Sequence, residues 1–208
     1  MAAGTQLDAI AQALHPLDAE PAGAGWNLAE LDGLLKPAPP LEAAVLLGLV
    51  PRRDDLAVLL TVRNDGLRLH AGQVSLPGGR VDPHDTGAVG TALREAREEV
   101  GLPSALARPM GFLDPVRTVT GYRVVPVVAQ LAPAFVPRPD PSEVSAVFEV
   151  PLRFLLAREH LREVQIEFAG RPRRVLEYLP YPDAPGHRIW GVTASILYNL
   201  RERLEALR

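Results

Sequence analysis

Three glutamates, Glu95, Glu98 and Glu99, fall within five consecutive residues. On a helix, positions i, i+3 and i+4 share a face, so the three carboxylates would project together. Like charges so placed repel by ~0.2–0.5 kcal/mol for each i,i+4 pair, and Arg94, four residues before Glu98, offsets only part of that. A divalent cation would remove the conflict. The chain has no cysteine, so a metal must take oxygen or imidazole ligands, and hard carboxylate oxygens select Mg2+, Mn2+ or Ca2+. Mg2+ is commonly held by one or two carboxylates together with substrate phosphate oxygens, which points to hydrolysis of a phosphate ester or anhydride. A run such as Arg94 to Glu99 is by itself usually a solvated helix face. What sets this one apart is Gly78-Gly79 upstream and Gly101 downstream, a loop-helix-loop closed at both ends.

These carboxylates need a helix pinned to a sheet. The spacing predicts that helix over 87–100, with Val89, Leu93, Ala96 and Val100 as its apolar stripe. Apolar runs at 43–50 and 56–62, separated by a charged turn, predict two buried strands. The stretch 64–76 breaks into glycine and polar residues and reads as a loop. Further strands are predicted near 106–113, 122–131, 144–150, 164–168 and 174–178, with a short helix around 152–158 set off by Pro151. A last amphipathic helix over 192–207 carries Ile196, Leu197, Leu200, Leu204 and Leu207; this stripe would be satisfied on its own sheet or by pairing two subunits in a homodimer. Ahead of the first strand, helices are predicted over 5–14 and 27–36, ended by the prolines at 37–40.

The segment from Gly79 to Leu102 resembles the Nudix hydrolase box: Gly, five residues, Glu, seven residues, Arg-Glu, an apolar residue, any residue, Glu-Glu, any residue, Gly, apolar. Gly79, Arg94, Glu95, Ala96, Glu98, Glu99, Gly101 and Leu102 fill their places. The first acidic position is Asp85 rather than Glu, and eight residues instead of seven separate it from Arg94. The stretch from Leu59 through Arg63, Arg68 and His70 to Gly79 is similar to the signature of the coenzyme A pyrophosphatase branch, LLTxRSxxLRxHxGxxxFPGG, with Asn64 in place of Ser and Leu76 in place of Phe. The likeness continues through 114–122, 143–151 and 190–194.

The resemblance implies an α/β fold, an α/β/α sandwich around a mixed β-sheet with the box as a loop-helix-loop metal site. It divides the chain into an N-terminal helical extension (1–41) and a Nudix hydrolase domain (42–208). Glu95 and Glu99 would be the main ligands of Mg2+ or Mn2+, with Glu98, Glu143 and the Gly79 carbonyl assisting. Arg94 would hold Glu98, and the general base stays open among Glu95, Glu98 and Glu143. Arg63, Arg68, His70, Gly78 and Tyr122 are the candidate substrate-binding residues, arginine because its planar fork suits phosphate. Trp190 is read as core. The implied reaction is hydrolysis of coenzyme A or a derivative to 3′,5′-ADP and 4′-phosphopantetheine. The rival readings are a pyrophosphatase of ADP-ribose or NADH, and a non-catalytic ligand sensor.

Composition narrows the partners. Lys+Arg 22 against Asp+Glu 25 gives a net charge of -3, unlike the basic surface that displaces counterions from a nucleic acid, so a small-molecule substrate is expected and no nucleic-acid partner. The apolar run 43–50 is far shorter than the ~18 residues of a membrane span. With neither a basic n-region nor an apolar h-region at the start, a cytoplasmic location is expected.

Overall fold

The computed structural model describes residues 3–31, 33–35, 38–53, 55–66, 70–168 and 170–207. Its apolar runs form the mixed sheet that the resemblance implies. β1 (Leu41–Arg52) and β2 (Asp55–Arg63) make a hairpin, and β7 (Tyr122–Leu131) runs parallel to β1 from Leu41↔Tyr122 to Leu49↔Gln130. β5 (Ala107–Phe112) and β6 (Val116–Arg117) pair antiparallel with β7, and β8 (Val144–Pro151) with β2.

Because side chains alternate along a strand, β1 feeds two cores. Ala44, Leu46 and Val50 face α2 (Gly87–Val100), whereas Ala43, Leu47 and Leu49 face a layer made by α1 (Ala3–Ala13), α3 (Leu152–Leu156) and α4 (Gly191–Glu205). Burial on both faces is why these strands read as continuous apolar runs. In α4, Ile196, Leu197 and Leu200 are buried against this chain's own sheet and helices.

Two expectations need correcting. In α2 the buried residues are Ala88, Thr91, Ala92, Ala96, Glu99 and Val100, while Val89 and Leu93 are only partly buried. Alanines let the helix backbone come close to the sheet, and the rotation of about one position carries Glu99 inward. The helix predicted over 27–36 shrinks to a 3-10 turn at Leu28–Leu31, with Lys36 outside the described residues. There Asn27 exchanges side-chain hydrogen bonds with the backbone of Arg117, at 2.9 and 2.8 Å, instead of starting a helix.

The N-terminal segment is fastened to the rest. His15 Nε2 lies 2.7 Å from Asp114 Oδ1, and Asp114 also accepts from Asn199 at 2.9 Å and from Arg203 at 3.0 Å. Thr86 makes no side-chain cap at the start of α2; Glu20 supplies one, its Oε2 accepting from the Ala88 N–H at 3.1 Å. A carboxylate there meets both the orphan donor and the positive end of the helix. Glu20→Ala is expected to lower stability by about 0.5–1 kcal/mol in urea unfolding. At the other end Gly101, with φ 67°, closes the helix, and Leu102 N–H reaches Ala96 O at 3.2 Å.

The sheet splits where the site forms. β1 and β2 pair only near their turn, from Leu49↔Val58 to Arg52↔Asp55. Beyond it, β2 takes β3 (Val74–Ser75) and β1 takes β4 (Gly78–Arg80). Strands of two and three residues carry no readable periodicity, hence the reading of 64–76 as loop. The remaining strands, β9 (Leu161–Phe168) and β10 (Arg171–Tyr178), form a separate antiparallel ribbon.

Candidate active site

A cavity of about 580 Å³ lies at this split, bordered by Arg63, Gly78, Gly79, Glu95, Glu99 and Glu143. Its size is that of a small-molecule site. Glu95 and Glu99 come from successive turns of α2, Arg63 from the end of β2, the glycines from β4 and Glu143 from the turn just before β8.

The glycine pair is what lets the carboxylates in. A Cβ on Gly79 would stand 2.6 Å from Glu95 Cδ, so the Glu95 carboxylate occupies the space that a side chain would fill. A Cβ on Gly78 would stand 2.6 Å from Val45 Cα, and its N–H donates to Glu99 Oε2 at 3.3 Å. Glu99 is 2% exposed. Its nearest cation, Arg63, keeps Nη1 3.7 Å from Oε1. Burial pushes the Glu99 carboxyl up to about 8; Glu95 and Glu143 add to the rise, while Arg63 and the Gly78 amide oppose it. Glu95 is also raised, chiefly by burial and against its bond from Arg94.

A buried carboxylate whose cation stands 3.7 Å away, with a half-buried one a turn before it, is what a divalent cation would satisfy. Among the described residues no three carboxylate or imidazole groups converge into a ready-made cage. Glu95 and Glu99, with Glu143 and Gly79 on the same cavity, instead make an open oxygen set, of the kind Mg2+ completes with water and phosphate oxygens. The donor set fits such an ion.

Arg94 organises the helix from outside the cavity. Its Nε and Nη2 take both oxygens of Asp85 at 2.9 and 3.0 Å, and its Nη1 meets Glu95 Oε1 at 2.9 Å and Glu98 Oε2 at 3.0 Å. This bidentate grip holds the Asp85 carboxyl far below the usual carboxylate range. Asp85 is thus the anchor of Arg94, and across the longer loop its shorter side chain still reaches.

The sequence-predicted residues divide by place. Glu95, Glu99, Glu143, Arg63, His70, Gly78, Gly79 and Tyr122 meet at one cavity. Glu98 does not border it; its side chain is 53% exposed and held outward by Arg94. Arg68 lies outside the described residues. His70, with φ 59°, places Nδ1 2.9 Å from Gln73 Oε1. Trp190, expected in the core, is only half-buried and walls the cavity, with the Arg188 guanidinium 4.6 Å above its ring. Sequence reading missed the ribbon's contribution, Ile166, Phe168, Arg173 and Val175. Its alternation was visible in the sequence, but nothing there says what the ribbon covers.

Comparison with known proteins shows which family the chain resembles. The NUDIX domain family matches residues 41–177. The chain is 43% identical over 159 residues to the uncharacterized Nudix hydrolase NudL of Escherichia coli K12, covering 76% of this chain and 80% of that one. It is 39% identical over 163 residues to NudL of Photorhabdus laumondii, covering 78% and 84%. Among solved structures, the Nudix hydrolase RenU of M. smegmatis aligns with a TM-score of 0.48 at 26% identity, over 56% of this chain and 73% of that one. Box residues, mixed sheet and family match converge, and the chain belongs to the Nudix hydrolase superfamily.

Proposed function

We propose that this protein hydrolyses the diphosphate of coenzyme A or a derivative of it, yielding 3′,5′-ADP and 4′-phosphopantetheine. The observation that carries this reading is one cavity bordered both by the box carboxylates Glu95 and Glu99 and by Arg63 and His70 of the block preceding the box. That block is where the sequence resembles the coenzyme A branch.

Bound Mg2+ or Mn2+ would neutralise charge on the diphosphate and lower the pKa of a water. Glu95, Glu99 and the Gly79 carbonyl would hold the ion. Arg94, through its bonds to Glu95 and Glu98, fixes the ligand-bearing turn of α2 rather than touching substrate. Arg63 stands beside Glu99 with its Nε unpartnered and would fork onto diphosphate oxygens. Glu143 borders the cavity with no side-chain ion pair among the described residues, and accepts the proton as water attacks phosphorus and the bridging P–O bond breaks. Geometry favours it over Glu98, which faces away. Tyr122, beside Thr118 and Thr120, offers a ring on which a base can stack.

The test is mass-spectrometric product analysis of coenzyme A, ADP-ribose and NADH, each incubated with the protein and Mg2+ or Mn2+. Release of 3′,5′-ADP and 4′-phosphopantetheine, abolished by Glu99→Gln, is the expected result. Cleavage of another diphosphate with coenzyme A intact would overturn the substrate; no cleavage at all would leave a ligand sensor.

A further inference from the structure

The ribbon of β9 and β10 runs in register from Leu161↔Tyr178 to Phe168↔Arg171. Alternate residues of such a ribbon share a face, and four of one face, Ile166, Phe168, Arg173 and Val175, border the cavity. Three are apolar and the fourth is a cation. Two other arginines of the ribbon are matched by carboxylates: Arg162 by Glu177 at 3.0 Å on the same face, and Arg174 by Glu163 at 3.7 Å on the other. Arg173 has no hydrogen bond or ion pair to any described residue, and its Nε is buried from solvent as well. Glu30 attracts it from the N-terminal segment but not within ion-pair distance, and burial works against its charge. A guanidinium placed among apolar side chains without a partner is costly, so its position points to a complementary anion that enters the cavity. Arg63 is already committed to the carboxylate end through Glu99; Arg173 is carried on a different element.

We infer that Arg173 receives the phosphomonoester dianion at the non-reacting end of the substrate, while the diphosphate is held at Glu95, Glu99 and Arg63 on the same cavity. This rests on the coenzyme A reading and deepens it, making Arg173 the residue that separates phosphorylated from unphosphorylated dinucleotide-like substrates. A forked donor can take two oxygens of a terminal phosphate, and the apolar neighbours Phe168 and Val175 strengthen the contact by excluding water.

The experiment compares coenzyme A with 3′-dephospho-coenzyme A for the wild type, Arg173→Ala and Arg173→Lys. For Arg173→Ala, kcat/KM on coenzyme A is expected to fall about 10- to 100-fold, mostly through KM, while the dephospho substrate changes by less than about twofold. Arg173→Lys should recover part of the loss. Calorimetric binding of 3′,5′-ADP and 5′-AMP to the same three proteins reads the contact without turnover: the wild type should prefer 3′,5′-ADP, and Arg173→Ala should lose that preference. An equal loss on both substrates, or an unchanged preference, overturns the assignment. Wild-type preference for 3′,5′-ADP that depends on Arg173, without hydrolysis of either coenzyme A form, would sink the proposed reaction and uphold the phosphate contact.

Discussion

Glu99→Gln is expected to remove more than about 100-fold of the diphosphatase activity and yet to make the metal-free protein more stable. Both effects come from the same buried carboxylate. Glu99 is 2% exposed, and among the described residues its only ion-pair partner is Arg63 at 3.7 Å. Folding raises its pKa from 4.5 to about 8. An acid whose pKa is raised on folding contributes its full stability below the unfolded value, and that contribution is lost as pH climbs toward the folded one. In chelator, therefore, wild-type stability should decline between about pH 4.5 and 8, and the glutamine variant should be spared that decline. The gain at pH 7 is on the order of 2–3 kcal/mol, the Gly78 amide still finding an oxygen to bond. Thermal melts in chelator and in excess Mg2+ or Mn2+ check this. Added ion should raise the wild-type Tm and leave that of the variant nearly unmoved. A variant less stable than wild type in chelator at pH 8 would mean that Glu99 is held by its partners rather than strained by burial.

Adjacent glycines are expected to fail in opposite ways. In Gly78→Ala the new Cβ meets backbone, 2.6 Å from Val45 Cα, which cannot step aside without separating β4 from β1. The expected result is a loss of about 2–3 kcal/mol or more in urea unfolding. In Gly79→Ala the new Cβ meets the tip of a side chain, the Glu95 carboxylate, which can swing away. Stability should then change by less than about 1 kcal/mol, while kcat falls about 100-fold because the carboxylate proposed to hold the metal has been displaced by about an ångström. Equal stability losses in the two variants would show that Glu95 is not free to move.

The box helix was legible in detail. Its predicted limits, 87–100, are those of α2, because Gly101 fixes the end and the pattern of small and apolar residues fixes the body. The long strands were legible for a similar reason, since continuous apolar runs of this length suit strands buried on both faces. β3, β4 and β6 were not, being two or three residues long and defined by partners far away in sequence. Helical spacing placed Glu95, Glu98 and Glu99 on one face, but it could not tell how far the helix rolls against the sheet. That roll, set by Ala88, Ala92 and Ala96 packing under the strands, buries Glu99 and leaves Glu98 outside.

Local spacing by itself determined the box helix, the long strands and the carboxylate pair one turn apart, because each follows from periodicities of 2 and 3.6. Only the tertiary structure decided which partners meet: that Asp85 anchors Arg94, that the sheet parts between β1 and β2 to open the cavity, and that the β9–β10 ribbon borders it with Arg173 unpaired among the described residues. Asp85 and Arg94 stand nine positions apart and the paired strands further still; they meet through packing that no local pattern encodes, and the charge balance of each group depends on it.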